Sequence, residues 1–209
     1  MNHIIRMSVL LLLFIHNPSV FALEGNREKP QSDWKMGAMD EAQMQKMKEL
    51  GSPGEHHRAL DPLAGRWNHT VKWWMTPDAS PAVSTGKTVN SWIMDGRFLK
   101  EEATGTAMGQ PFEGMGLIGY DNVKGTYTSV WIDNVSTSMM TANSQYDPAS
   151  KTFTEKGSFA CPATGEKDKP YRAITRIIDQ DHFTYEMHST GMSGDKEFKT
   201  MEITYEREK

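Results

Sequence analysis

From Leu63 almost to the end of the chain, apolar and polar residues alternate with a period of two, and Gly, Pro, Asp or Asn punctuates each run. Successive side chains of a strand point to opposite faces, so this pattern describes half-buried strands on short turns. Ten runs can be read, at 66–75, 85–94, 97–104, 112–120, 126–133, 138–146, 152–159, 171–178, 183–188 and 197–207. No helical stretch separates them. That excludes a parallel α/β sheet and predicts an all-β fold, a ten-stranded antiparallel up-and-down barrel, with a two-sheet sandwich as the structural alternative. Asp95-Gly96 predicts a tight hairpin between the second and third strands. Gly114, Gly116 and Gly119 inside the fourth fit the sharp corners and close backbone approach of a closed barrel.

The segment ahead of the barrel reads differently. Arg6, an apolar run from Met7 to Ile15, and Pro18 before Val20-Phe21-Ala22 have the layout of a secretory signal over 1–22, cleaved after Ala22. The run is far shorter than the roughly 20 residues a membrane-spanning helix needs, and no later stretch is apolar enough, so the mature protein is expected in the periplasm or secreted, without a membrane span. Residues 23–33 are polar and read as a disordered leader. Over 34–62 a helical segment is expected: Met36, Met39, Met44, Met47 and Leu50 recur at helical spacing until Gly51-Ser52-Pro53-Gly54 stops them. The barrel domain is then 63–209. A net charge of −4 argues against a nucleic-acid partner. The single cysteine, Cys161, permits no internal disulfide, so packing alone must stabilise the fold.

Gly65-Arg66-Trp67, opening the first strand, resembles the Gly-x-Trp signature of the calycins, the lipocalins and fatty-acid-binding proteins. The resemblance implies a lipocalin-like barrel in which an arginine from the last strand, here Arg207, packs across the Trp67 ring. A wider likeness runs from Pro53 to Arg207. It is carried by Pro53-Gly54-Glu55-His56-His57, Gly96-Arg97-Phe98-Leu99, Gly109-Gln110-Pro111-Phe112-Glu113-Gly114, Gly119-Tyr120-Asp121-Asn122, Trp131-Ile132-Asp133 and Met201-Glu202-Ile203-Thr204-Tyr205-Glu206-Arg207. These segments are similar to the bacterial family catalogued as domain of unknown function 1579, which implies the same barrel and brings no established activity.

A barrel of this strand number can enclose a ligand, so its interior is the expected site, and a small apolar or amphiphilic molecule the expected partner. Trp67, Trp73, Trp131 and Tyr205 are the candidate wall, and Asp133 or Arg97 the candidate polar anchor. Asp133 beside Asn134 reads equally as a turn former. Glu101 and Glu102 are adjacent, so one of them must face inward, whereas Glu202 is expected to face solvent. A rival reading is a hydrolase or isomerase using Glu101 or Glu102, Asp133 and His188, and a third is an interaction scaffold whose activity lies on the outer surface or the Met-rich helix. His56, His57, His69, His182 and His188 show no metal-ligand spacing. Haem would need His188 to face inward, while Phe183, Tyr185 and Met187 share the opposite face. Fifteen methionines suit soft copper(I) ligation less well than packing, and a Met stripe fits a helix laid over a barrel mouth. No nucleophile elbow, phosphate loop or dinucleotide fingerprint is present, and no cofactor is expected.

Intact-mass measurement of the protein from its native host, with N-terminal sequencing, is expected to find a chain starting at Leu23. A chain still carrying Met1 would contradict the export reading.

Overall fold

The computed structural model describes residues 39–191 and 196–209. The predicted signal, the leader and the start of the Met-rich helix lie outside those residues. Within them the chain forms α1 (Glu41–Leu50), α2 (Glu55–Arg58) and one 3₁₀ turn (Asp61–Leu63), followed by ten strands. The strands are β1 (Gly65–Trp73), β2 (Ala82–Ile93), β3 (Phe98–Ala107), β4 (Gln110–Asp121), β5 (Thr126–Asp133), β6 (Met140–Asp147), β7 (Thr152–Phe159), β8 (Lys169–Ile177), β9 (His182–Thr190) and β10 (Glu197–Arg207). Each pairs antiparallel with its neighbours in sequence, and β1 pairs with β10, so the sheet closes into an up-and-down barrel with no free edge. The sandwich alternative is excluded. No helix among the described residues is long and apolar enough to cross a membrane.

Two local expectations are corrected. The β2–β3 connection is a four-residue turn, Met94 to Arg97, in which Met94, Asp95 and Gly96 all have positive φ, rather than a tight two-residue hairpin. The helix α1 is capped as its sequence suggests, with Asp40 accepting the Gln43 amide and Gln43 returning the bond. Its apolar stripe covers nothing, however: Met44 and Met47 are 49% and 62% exposed and α1 has no buried residue. What closes that end of the barrel is the segment from α2 through the 3₁₀ turn, which supplies buried His57, Leu60 and Leu63. The Asn122 side-chain amide donates to the Leu50 and Ser52 carbonyls, and the Tyr127 hydroxyl donates to that of His56, fastening this plug to the barrel.

Beneath the plug Trp67 is fully buried and its indole N–H donates to the Leu63 carbonyl at 3.0 Å. Arg207 pairs with Trp67 across the β1–β10 seam and lays its guanidinium on the indole, 3.9 Å from the ring centroid. The same guanidinium donates to the carbonyls of Ala64 (2.9 Å), Pro62 (3.1 Å) and Gln180 (2.7 Å). This explains the glycine of the motif: Gly65 has φ +130°, and a Cβ there would lie 2.2 Å from Arg207 Nη1. Phe183 meets Trp67 edge-on and stacks on Tyr205 at 4.0 Å between centroids, continuing an aromatic core with Tyr127 and Phe153.

Arg207→Ala removes one cation–π contact and three charge-assisted hydrogen bonds, so a loss of about 2–4 kcal/mol is expected in urea unfolding. Arg207→Lys restores the charge but not the planar fork, and is expected to recover less than half of that loss.

Candidate functional site

Alternation along the strands fixes what faces the lumen. Above the Trp67 core, Glu101, Ser129, Trp131, Glu155, Tyr185 and Ile203 all point inward and are partly rather than fully buried. Rings pack directly onto glycines of the wall. The Trp131 indole rests on Gly114 and Gly116, the strand directly across from it, and a Cβ at Gly114 would lie 2.3 Å from the ring. The Tyr171 ring lies similarly over Gly157, and the His69 ring over Gly86.

The lumen has three levels. Nearest the plug is the Trp67 core; farthest from it are Ala142, Tyr171, Ala173 and Met187, packed with Met140, Phe159 and Met201. Between them runs a belt of polar groups. Glu101 lies on β3, Glu155 on β7, Tyr185 on β9 and Tyr205 on β10. The Glu155 carboxylate accepts from the hydroxyls of Tyr171 and Ser129, both at 3.0 Å. Burial, reinforced by the charge of Glu155, pushes the Glu101 carboxyl up to about 7, against hydrogen bonding from the Tyr205 hydroxyl. Burial likewise raises Glu155, against the two hydroxyls it accepts from. Tyr185 and Tyr205 are pushed well above the ordinary range by burial and by the nearby carboxylates, so both remain protonated donors. On β1, His69 shares a 2.8 Å hydrogen bond with Thr88, and burial lowers its pKa, which favours the neutral ring.

The sequence-predicted residues distribute unevenly over this site. Trp131 lines the lumen and Tyr205 sits where the belt meets the aromatic core. Trp67 belongs to the sealed end, and Trp73 stands half-exposed at the opposite rim. Arg97 is not in the lumen: it lies at the β2–β3 turn, donating to the carbonyls of Gly51 and Met94. Asp133 does both things considered for it, accepting the Trp131 indole N–H at 2.9 Å and holding the amides of Val135 and Ser136 in a turn. Of the acidic pair, Glu101 is the one facing inward, while Glu102 pairs with Lys100 outside at 2.9 Å. His188 shares a hydrogen bond with Arg172 on the outer face, so it meets neither Glu101 nor Asp133 and the constellation named for a hydrolase or isomerase is not assembled. Glu202 faces outward between Lys72 and Lys199.

Residue-by-residue reading missed Glu155, Tyr185, Asn90 and Ser144. The signal was there: Glu155 alternates with Phe153 and Gly157, and Ser144 with Ala142 and Tyr146, so register alone sends them inward. Asn90 Oδ1 and Ser144 Oγ are buried without a hydrogen-bond partner. Two shallow grooves lie apart from the belt: one of about 410 Å³ around Glu102, Met115 and Ile132, the other of about 260 Å³ between Ser136–Ser138 and the Cys161 loop at the rim.

A family model described as protein of unknown function, DUF1579, matches residues 52–207. No curated protein matches. Among solved structures, a redesigned β-barrel aligns with 17% identity over 73% of this chain and 96% of its own, at a TM-score of 0.37.

The Glu101 shift predicts a pH dependence of stability. Its folded pKa lies above the unfolded value, so its contribution is fully present below the unfolded pKa and is lost as pH rises through about 7. Glu101→Gln is therefore expected to match the parent near pH 4 and to exceed it by on the order of 1–3 kcal/mol near pH 8, read by urea unfolding at both values. A difference that does not change with pH would contradict the assignment.

Proposed function

The chain belongs to the DUF1579 family, and we propose that this member is an exported binding protein that takes a small apolar or amphiphilic molecule into its barrel. One observation carries the reading: a belt of inward-pointing, partly accessible polar groups lies between an aromatic floor and an apolar upper wall. Such a chamber suits a molecule whose polar end reaches the belt while its apolar part lies against Trp131, Met140, Phe159 and Met201. Entry is from the end opposite the α2 plug, where half-exposed Trp73 stands at the rim. A belt made only for packing would be an expensive core, because polar groups buried without partners cost about 1–3 kcal/mol each.

The neutral fluorophore N-phenyl-1-naphthylamine is the direct probe. Saturable one-to-one binding is expected, with Trp131→Ala weakening it by about tenfold or more through lost apolar contact. Native mass spectrometry of the purified protein is expected to show a bound small molecule that the fluorophore displaces. Absence of binding, or binding indifferent to Trp131 and Met201 substitutions, would overturn the proposal.

A further inference from the structure

Strand direction sorts the connections between the two ends of the barrel. Those after β2, β4, β6 and β8 lie at the plug, and those after β1, β3, β5, β7 and β9 surround the open mouth. Three neighbouring connections at the mouth present exposed apolar side chains. Trp73 and Met75 lead out of β1, Met108 tips the β3–β4 turn, and Val135 and Met139 lie between β5 and β6. The β3–β4 turn is two residues long, Met108 and Gly109 at positive φ between paired Ala107 and Gln110. Asn or Asp before Gly suits such a turn, whereas a methionine is strained in it. Met108 is 87% exposed, so that strain is offset by almost no packing.

The same connections are almost free of charge. Residues 74–81, 108–109 and 134–139 hold one charged side chain between them, Asp78. Asp133, at the root of the last, is turned back onto the Trp131 indole and the amides of its own turn. The plug end also exposes apolar residues, but there Met94, Val123 and Ile178 each stand within two residues of an aspartate, Asp95, Asp121 and Asp179. The exposed Met44 and Met47 of α1 likewise sit among Lys46, Lys48 and Glu49. Across the mouth, the β7–β8 connection carries Glu166, Lys167 and Asp168, so the charge-poor sector is the half from β1 to β6. From its tips the apolar surface runs on into the barrel: Trp73 is the register partner of Met201, Met139 precedes Met140, and Phe112 stacks on Trp131.

We infer that the β1–β6 half of the mouth docks on the surface of a lipid bilayer, with Trp73, Met75, Met108, Val135 and Met139 entering the headgroup region. The inference goes beyond the lumen reading and does not need it, since docking requires no bound molecule. Charge selects the partner: tips without Lys or Arg gain nothing from anionic headgroups, and tips with one acid lose little on entering a zwitterionic interface. Shape selects it too. The apolar groups stand on three separate connections, and a fluid interface moulds around such points, whereas a protein partner would need a close-packed complementary face. Tryptophan at the edge of the patch suits the boundary between headgroups and water.

The test is flotation of the purified protein with phosphatidylcholine vesicles, with and without added phosphatidylglycerol, at low and high salt. Binding to phosphatidylcholine alone is expected, changed less than about twofold by the anionic lipid or by salt. Met108→Asn relieves the strained turn, so it is expected to resist urea at least as well as the parent. Combined with Met139→Ser it is expected to weaken vesicle binding by about tenfold or more, which separates docking from folding. Met47→Ser on α1 and Val123→Ser at the plug are expected to change nothing. Absence of binding, or binding only to vesicles with phosphatidylglycerol, would overturn the inference. So would binding lost in Met47→Ser but kept in the mouth variant, or concentration-dependent self-association that the mouth variant abolishes, which would make this face an interface between copies. The lumen reading is decided separately, by the naphthylamine titration without lipid.

Discussion

Closure of the barrel between β1 and β10 governs everything else in this molecule, and the Trp67–Arg207 contact is built into that seam. The two residues are register partners, so stacking the guanidinium on the indole ties the first strand to the last at the point where the sheet meets itself. Arg207 also reaches the carbonyls of Pro62 and Ala64, which belong to the plug, and that of Gln180, in the β8–β9 turn. One side chain therefore joins the seam, the floor and a neighbouring hairpin. With no disulfide to help, such convergence lets a cooperative core form from aromatic packing and hydrogen bonds.

Closure also determines the chemistry inside. In a closed sheet every second residue must point into a finite space, whether or not it is apolar. Most inward positions near the plug are aromatic or aliphatic, which seals that end. Farther along, the same alternation carries Glu101, Glu155 and Ser129 into the interior, and glycines at 86, 114, 116 and 157 let rings lie flat against the wall. That part of the interior holds carboxylates whose protons bind more tightly than usual, beside tyrosines that do not ionise. This is an environment suited to recognising a polar head within an apolar enclosure.

Much of the architecture was legible in the sequence because period-two alternation is a direct image of strand geometry. The runs at 126–133, 152–159 and 197–207 coincide with β5, β7 and β10, and the Gly-x-Trp likeness pointed to the Arg207 stack that the structure contains. Boundaries slipped where turn residues join strands, as at Ala82–Thr85 of β2, whose polar and small residues carry little alternation but still pair with β1. The Met stripe of α1 was legible as amphipathic, yet amphipathicity does not say what covers a face, and in the described residues nothing does. The site was the least legible part. Asn90 and Ser144 are small polar residues of the kind expected on an outer face, and only the register, which places them opposite Glu101 and Glu155, reveals them as interior groups. Trp67 and Trp131 looked alike as candidate wall; their depth in the barrel separates a structural plug from a lumen residue.

The most direct measurement of the central claim is a high-resolution crystal structure of the protein purified without detergent. Ordered density is predicted in the middle of the barrel, from a retained molecule or from waters, within hydrogen-bond reach of the Glu101 and Glu155 carboxyls. A lumen closed over by Trp131, Tyr185 and Ile203, with Glu101 and Glu155 bonded only to protein groups and no density between them, would contradict the account.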